Sequence, residues 1–253
     1  MSRYPPKIAG IPVLWFATLA STNAEALARI GQDSPGQIWI VADRQSAGRG
    51  RRGRGWTSEP GNLYATRIIT DPAPAAATPE ICFVAALALH DAVLDCCPGL
   101  APVRLKLKWP NDLLLDGEKL AGILVEGISG PGAVAVGFGV NCCVHPKDLP
   151  FPATDLLRAG CVASPVTVLE ALGPALERRL REWDRGRNFG SIRSAWLARA
   201  IGLGAAIAVR LSDRTLDGTF EALDPAGCLV LRRPDGARET IRAGDVFPVG
   251  AGG

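Results

Sequence analysis

Apolar positions along the chain change period several times, and each change marks an element. Ser21-Thr22-Asn23-Ala24-Glu25 opens a helix, because Thr22 and Glu25 have capping-box spacing and Ala26, Leu27 and Ile30 follow on one face before Gly31. The predicted helix covers residues 23–30. Residues 37–42 and 62–69 are short apolar runs of strand type, and 72–77 is a Pro/Ala surface loop. Thr78-Pro79-Glu80 starts a second helix with proline at its first position, and the apolar run behind it stops at Cys97-Pro98-Gly99, about five turns on. The period then falls to two. Val103, Leu105 and Leu107 alternate with Arg104, Lys106 and Lys108, a half-buried strand that ends at Trp109-Pro110. Residues 113–115, 120–127 and 133–140 read as strands buried in a sheet that helices cover on at least one face. Ser164-Pro165 opens a third helix reaching about Asp184, interrupted at Gly173-Pro174, where a kink is expected, and residues 191–200 form a fourth. From residue 205 the pattern is strand only: 205–211, 216–223, 228–232 and 238–249, with turns at Asp224-Pro225-Ala226-Gly227 and Pro234-Asp235-Gly236. A small β barrel or sandwich follows from that pattern.

A chain of 253 residues, 47% apolar and 21% charged, has ample core for one large domain with a small companion. The longest apolar stretches, 81–89 and 123–140, are too short to span a bilayer or are broken by Glu126, glycines and Pro131, so no transmembrane helix and no membrane partner are expected. Pro5, Pro6 and Pro12 interrupt the N-terminal region, which lacks a secretory pattern; the expected location is cytoplasmic. Seven cysteines, an odd number with two adjacent pairs and no CxxC, read as small buried apolar side chains rather than disulfides or a zinc site. The two histidines, His90 in an apolar helical run and His145 before a proline, read as a core or helix-surface residue and a loop residue. No GxSxG, HExxH or Walker A sequence is present. Chemistry here has to run without the common nucleophile, zinc or nucleoside-triphosphatase machinery.

Residues 44–54 hold Arg44, Arg49, Arg51, Arg52 and Arg54 with no acid before Glu59, and Gly48, Gly50, Gly53 and Gly55 lie among them. Such a loop cannot pack as core. Glycine frees the backbone to fold over a ligand and guanidinium forks pair with phosphate or carboxylate, so an anionic ligand is expected. Gly48, Gly50 and Gly53 also fit GxGxxG, but the residues after them have no apolar face for a dinucleotide-binding helix. An Arg/Gly RNA-binding tract is the other reading of this loop. The chain has 23 Arg and 5 Lys, and three of the lysines, Lys106, Lys108 and Lys119, are clustered. Lys108 and Lys119 flank Trp109-Pro110-Asn111-Asp112, where a compact point charge is wanted in place of a planar fork.

GRGRRGRGW (48–56), KWPNDLL (108–114), KLAGILVE (119–126), GFGVN (137–141) and Ser21-Thr22-Asn23 together resemble the biotin protein ligases, over about residues 20–250 and in that family's order. The resemblance implies an α/β fold, with a mixed sheet and flanking helices at about 1–200 and a small C-terminal SH3-like β barrel at 201–253. It implies ATP and Mg2+, with biotin as substrate, joined to give biotinoyl-adenylate, and transfer to a lysine of a biotin carboxyl carrier domain of acetyl-CoA carboxylase or another biotin-dependent carboxylase. By the same pattern Ser21, Thr22, Asn23 and Gln45 hold the biotin head group, with Arg49 and Gly50 closing the pocket. Arg51 and Lys119 contact the carboxylate and α-phosphate, and Asp112 orients or deprotonates the incoming lysine amine. Arg54, Trp56, Lys108, Asn111 and Asn141 belong to the nucleotide side, Trp56 packing under the folded loop, and no metal ligand is assigned. The loop is expected to be disordered until ligand arrives. Some members carry an N-terminal DNA-binding domain; the 20 residues before Ser21 leave no room for one, so no DNA binding is expected, and a homodimer stays open. A lipoate ligase of the same fold is the enzymatic alternative.

Overall fold

Eight strands drawn from residues 7–140 form one sheet. The computed structural model describes residues 4–31, 36–127, 132–147 and 151–248. Its strands are β1 (Lys7–Ile8), β2 (Ile11–Leu19), β3 (Ile38–Gln45), β4 (Leu63–Thr70), β5 (Leu105–Lys108), β6 (Asp112–Leu115), β7 (Glu118–Gly127) and β8 (Ala133–Val140). They lie in the order β1-β2-β3-β4-β8-β7-β6-β5. Only β2 and β3 pair in parallel, joined by the crossover helix α1 (Thr22–Ile30), so the sheet is mixed.

Alternation along β8 divides the sheet into two faces. Val134, Val136, Phe138 and Val140 point into the main core with α2 (Ile81–Cys96) and α3 (Pro165–Trp183). Ala133 and Ala135 point the other way and meet Ala26 and Ile30 of α1 together with Ile40 and Ile68. Burying each of those isoleucines contributes roughly 1.5–3 kcal/mol. Gly137 and Gly139 continue the α1 face, but there the strand offers no side chain. A hollow opens beside α1.

Several elements differ from their sequence reading. Strand β2 has no counterpart in it; its signal is Val13-Leu14-Trp15-Phe16, obscured by Pro12 at a position that pairs with the two-residue β1. Ser21, not Thr22, caps α1, accepting from the Ala24 amide at 3.3 Å, while Glu25 pairs with Arg29. Thr22 is thereby free to point its hydroxyl elsewhere. Pro79 sits in a 3-10 turn, Ala75–Glu80, ahead of α2 rather than at its first position. Val103 lies in the 3-10 turn Pro102–Arg104 and is 71% exposed, so the alternating strand begins only at Leu105. Helix α3 runs through Gly173-Pro174 as one element, since a glycine before proline lacks the Cβ that clashes with the ring. The stretch Ala77–Cys96 is long and apolar enough by composition to cross a bilayer, which the reading of 81–89 alone missed; it is mostly buried against the sheet, α3 and α4 (Phe189–Leu197). The last residue of the expected final strand, Val249, lies outside the described residues.

The C-terminal strands are β9 (Ala206–Arg210), β10 (Thr215–Leu223), β11 (Leu229–Arg232), β12 (Arg238–Ile241) and β13 (Asp245–Pro248), an antiparallel sheet in the order β12-β11-β10-β9-β13. It is fastened to the large sheet at named points. Trp109 Nε1 donates to the Gly227 carbonyl at 3.1 Å, and Leu107 exchanges backbone bonds of 2.9 Å with Arg199 and Ile201. The rings of Phe83 and Phe189 meet edge to face at 5.6 Å beside Gly227, whose φ of +81° and lack of Cβ admit them. This seam sets β13 against the arginine-rich loop.

Cys97 and Cys161 form a disulfide, against the expectation that the cysteines are unpaired. It ties the end of α2 to a turn 64 residues on, a pairing that spacing alone could not reveal because the partners meet only after the sheet is built. Among the described residues no group of His, Cys, Asp and Glu is arranged for a metal. Thiol counting on denatured, unreduced protein is expected to return five of the seven cysteines as free. Replacing Cys97 and Cys161 with serine is expected to cost about 2–4 kcal/mol in urea unfolding; seven titrating thiols and unchanged stability would contradict the bridge.

Candidate active site

The loop after β3 folds back on itself. The Trp56 amide donates to the Gly48 carbonyl at 2.8 Å, the Gly50 amide to the Arg54 carbonyl at 2.7 Å, and Arg49 and Gly55 form an isolated antiparallel bridge. Gly48 is needed there, since a Cβ would run into the Trp56 carbonyl and lie 2.6 Å from Ser58 Oγ. Arg52 at φ +56° and Gly53 at φ +71° make the tip. The loop is thus a short lid whose arginines project from one small hairpin, with the single 3-10 turn Arg51–Gly53 at its tip and no α-helix.

Under the lid is a cavity of about 280 Å³. Its wall takes in Ser21, Thr22, Asn23, Gln45, Arg49, Gly50, Arg51, Arg54, Trp56, Asn111, Asp112, Lys119 and Asn141. Lys108 is the one predicted site residue outside that wall; it stands behind Asp112. The floor is the bare stretch of sheet. A Cβ on Gly139 would sit 2.6 Å from the Trp56 ring and one on Gly122 3.0 Å from it, so the indole lies flat on two glycines of neighbouring strands. Gly137 similarly admits Asn23.

At the α1 end the polar groups form a chain of neutral donors and acceptors. Gln45 Oε1 accepts from the Thr22 amide at 2.8 Å and from its hydroxyl at 3.2 Å, while Gln45 Nε2 donates to Ser58 Oγ at 2.9 Å. Thr66 donates to Asn23 Oδ1 at 2.6 Å, and Asn23 Nδ2 donates to Glu126 at 2.8 Å. Glu126 also accepts from Arg49 at 3.2 Å, which pins the first lid arginine to β7. Every one of these side chains is held by another, so the wall is stiff before any ligand arrives.

At the other end lie the charges. Lys119 and Lys108 approach the two oxygens of Asp112 at 2.8 and 3.3 Å. Burial alone pushes that carboxyl up, but the two ammonium groups together pull it below its ordinary value. Asp112 is therefore held as the shared counter-charge of both lysines. Lys119 also lies 5.3 Å from the centre of the Trp56 ring and 5.4 Å from that of Phe151, within cation–π range. Arg51 donates to Asn111 Oδ1 at 3.2 Å, and Asn111 is itself anchored to the Ile123 carbonyl at 2.7 Å. Burial lowers the Arg51 guanidinium from its ordinary value while Asp245 pulls the other way; it remains a cation. Asn141 donates to the Thr154 carbonyl at 3.0 Å and so acts first as a strut beside Lys119.

Residues outside the sequence reading complete the site: Thr66 and Ser58 in the polar chain, Glu126 and Asp245 as partners of the lid, Phe151 beside both lysines. Gly137 and Gly139 carried a readable signal, glycine at alternate positions of an otherwise apolar strand. The others had none, being single polar or aromatic residues far away in sequence. Burial pushes the Cys82 and Cys142 thiols up to about 12, so neither offers a thiolate. His90 is buried in α2 and His145 is paired with Asp155 at 2.6 Å. A pocket with a neutral polar end, an apolar floor and a cationic end suits a ligand that is uncharged at one end and anionic at the other.

Residues 15–142 match the sequence profile of the biotin/lipoate A/B protein ligase family, and residues 202–247 that of the biotin protein ligase C terminal domain. The chain is 44% identical over 238 residues to the biotin–[acetyl-CoA-carboxylase] ligase of Paracoccus denitrificans, covering 90% of this chain and 96% of that one. It is 35% identical to the protein of the same name from Mycobacterium tuberculosis, covering 91% and 86%. Its backbone superposes on the biotin protein ligase from Aquifex aeolicus in complex with biotin and ATP with a TM-score of 0.79 at 22% identity, over 93% of this chain and 97% of that one, a likeness of fold.

Substituting Asp112→Asn leaves two largely buried ammonium groups without their carboxylate and is expected to destabilise the protein by about 3–5 kcal/mol. Because the folded carboxyl titrates below its unfolded value, its contribution is present above about pH 4 and fades as pH falls through the lowered folded value. Thermal unfolding of both proteins between pH 3 and 7 checks this. The gap between them should narrow toward the acid end.

Proposed function

The chain belongs to the biotin/lipoate A/B protein ligase family, and on that premise we propose how its own residues perform an ATP-dependent biotin protein ligase reaction. The biotin carboxylate attacks the α-phosphorus of ATP, a P–O bond forms, and pyrophosphate leaves. The neutral ε-amine of a carrier lysine then attacks the acyl carbon, the C–O bond to AMP breaks, and the amine's surplus proton leaves with AMP or to water. The first step brings two anions together, and its barrier falls by neutralising and orienting them. One observation carries the assignment: Arg51 and Lys119, from distant parts of the chain, line the same cavity as the polar chain around Thr22 and Gln45.

Neutral groups at the α1 end suit the ureido ring of biotin. Ser21, Thr22, Asn23 and Gln45 are the residues proposed to read it, Thr22 and Gln45 being already locked to each other. A site built on such bonds discriminates against an acid of similar length that lacks the partner atoms, which disfavours lipoate. The Trp56 ring, seated on the glycine floor, suits the apolar valeryl chain. Arg51 and Lys119 are proposed to hold the carboxylate and the α-phosphate, with Arg54, Lys108, Asn111 and Asn141 on the nucleotide side. Asp112 keeps the two lysines apart and aimed. An RNA-binding role for the lid is disfavoured, because Arg49, Arg51 and Arg54 are already paired with Glu126, Asn111 and Asp245.

The Mg2+ implied by the resemblance has no protein cage among the described residues. Asp112 is the carboxylate among the described wall residues, and two lysines occupy it. We propose that any magnesium is carried in on ATP phosphate oxygens, where it would add to charge neutralisation. The partner proposed for the second step is the carrier domain of a biotin-dependent carboxylase, as the relatives' names suggest. Use of ATP fits a cytoplasmic site of action, and no DNA target is proposed.

Biotin-dependent exchange of pyrophosphate into ATP tests the reading. Arg51→Ala and Lys119→Ala are each expected to lower kcat/KM by about 10- to 150-fold, the loss of one charge-assisted bond. Lipoate should not replace biotin in the assay. Exchange without biotin, or equal rates with lipoate, would defeat the assignment.

A further inference from the structure

Asp245 is the meeting point of the lid and the C-terminal sheet. It opens the edge strand β13, and its carboxylate lies 2.9 Å from Arg54, 3.8 Å from Arg52 and 4.0 Å from Arg51. The Gly244 carbonyl beside it accepts from Arg51 at 3.4 Å. Gly244 is pressed so close to β9 that a Cβ would stand 2.8 Å from Val209 Cγ1, which fixes where the pair 244–245 can be. Three guanidinium groups thus converge on one carboxylate supplied from nearly 200 residues further along the chain.

We propose, resting on the ligase reading, that Asp245 is a positioning residue of the adenylation step: it parks the lid arginines while no nucleotide is bound and yields them to the phosphates of ATP. The small sheet then acts on nucleotide affinity through β13. Carboxylate and phosphate compete for the same donors, so the work of parting the arginines from Asp245 is subtracted from ATP binding. In return the cationic groups are gathered and aimed before the nucleotide arrives. The lid does not need Asp245 for its shape, because the Gly48–Trp56 and Gly50–Arg54 backbone bonds and the Arg49–Glu126 pair lie elsewhere. Neutralising Asp245 therefore removes the competitor and frees the arginine side chains at the tip, loosening the hairpin without abolishing it.

The test compares wild type, Asp245→Asn and Asp245→Glu in the full chain. Without ligand, trypsin should cut after the lid arginines about two- to fivefold faster in Asp245→Asn, the equivalent of one partly exposed ion pair. In pyrophosphate exchange its KM for ATP should fall by a similar factor while the KM for biotin does not, a split that a merely structural role would not produce. Asp245→Glu keeps the charge and should track wild type in both measurements. Equal cleavage rates, or an ATP KM in Asp245→Asn that is unchanged or raised, would overturn the proposal. A wild-type protein with no biotin-dependent exchange would defeat the ligase reading instead, and the cleavage rates would still decide whether Asp245 parks the lid.

Discussion

Concentrating positive charge in one cavity works against folding, and the placement of three carboxylates is what makes this site possible. Arg49, Arg51, Arg52, Arg54, Lys108 and Lys119 gather around one hollow. Two unit charges 4 Å apart repel by about 4 kcal/mol at the effective dielectric near a protein surface. Each subset of cations is met by one acid: Arg49 by Glu126, the other lid arginines by Asp245, and the lysine pair by Asp112. Two of these acids, Glu126 and Asp245, stand outside the cavity wall, so they compensate the charge without filling the space a ligand needs. Asp112 is within it, wedged between its lysines.

The same arrangement explains why two sheets are joined as they are. The Trp109–Gly227 bond, the Leu107 backbone pairings and the Phe83–Phe189 contact hold β13 beside the lid. Lys108 lies 5.6 Å from the Phe247 ring, so the small sheet shields the lysine pair as well. The C-terminal strands are therefore part of the electrostatic environment of the site and not an appendage. Along the opposite wall the chain Gln45–Thr22–Thr66–Asn23–Glu126 crosses from β3 through α1 and β4 to β7, so one run of neutral groups ending on a carboxylate fixes four elements.

What could be read beforehand was what is local. The Arg/Gly loop, the KWPND turn and the helix at Ser21 are short segments whose chemistry is contained in adjacent residues, and the cavity wall is built largely from them. Periodicity likewise located β7, β8, α2 and α3. It failed where long-range pairing decides the outcome. Strand β2 is stabilised by its parallel partner β3, Val103 is drawn into a turn by Pro102, and Cys97 finds Cys161 only across the finished fold. Asp245 and Glu126 were beyond reach for the same reason: an acid's partner is set by tertiary approach. Asp112 was assigned to the site, but its pairing with Lys108 and Lys119 was not read, because the two lysines were seen only as flanking residues.

The floor under Trp56 has a last implication. Gly122 and Gly139 have already surrendered every side-chain atom they could, so the depth of the hollow on that side is at its geometric limit. Selection, or a designer, seeking room for a bulkier acid must trim the indole itself or retreat to Leu124 on the wall. Trimming the indole would also strip Lys119 of the π-face beneath it. The width of the hollow and the setting of Lys119 are tied to a single aromatic ring.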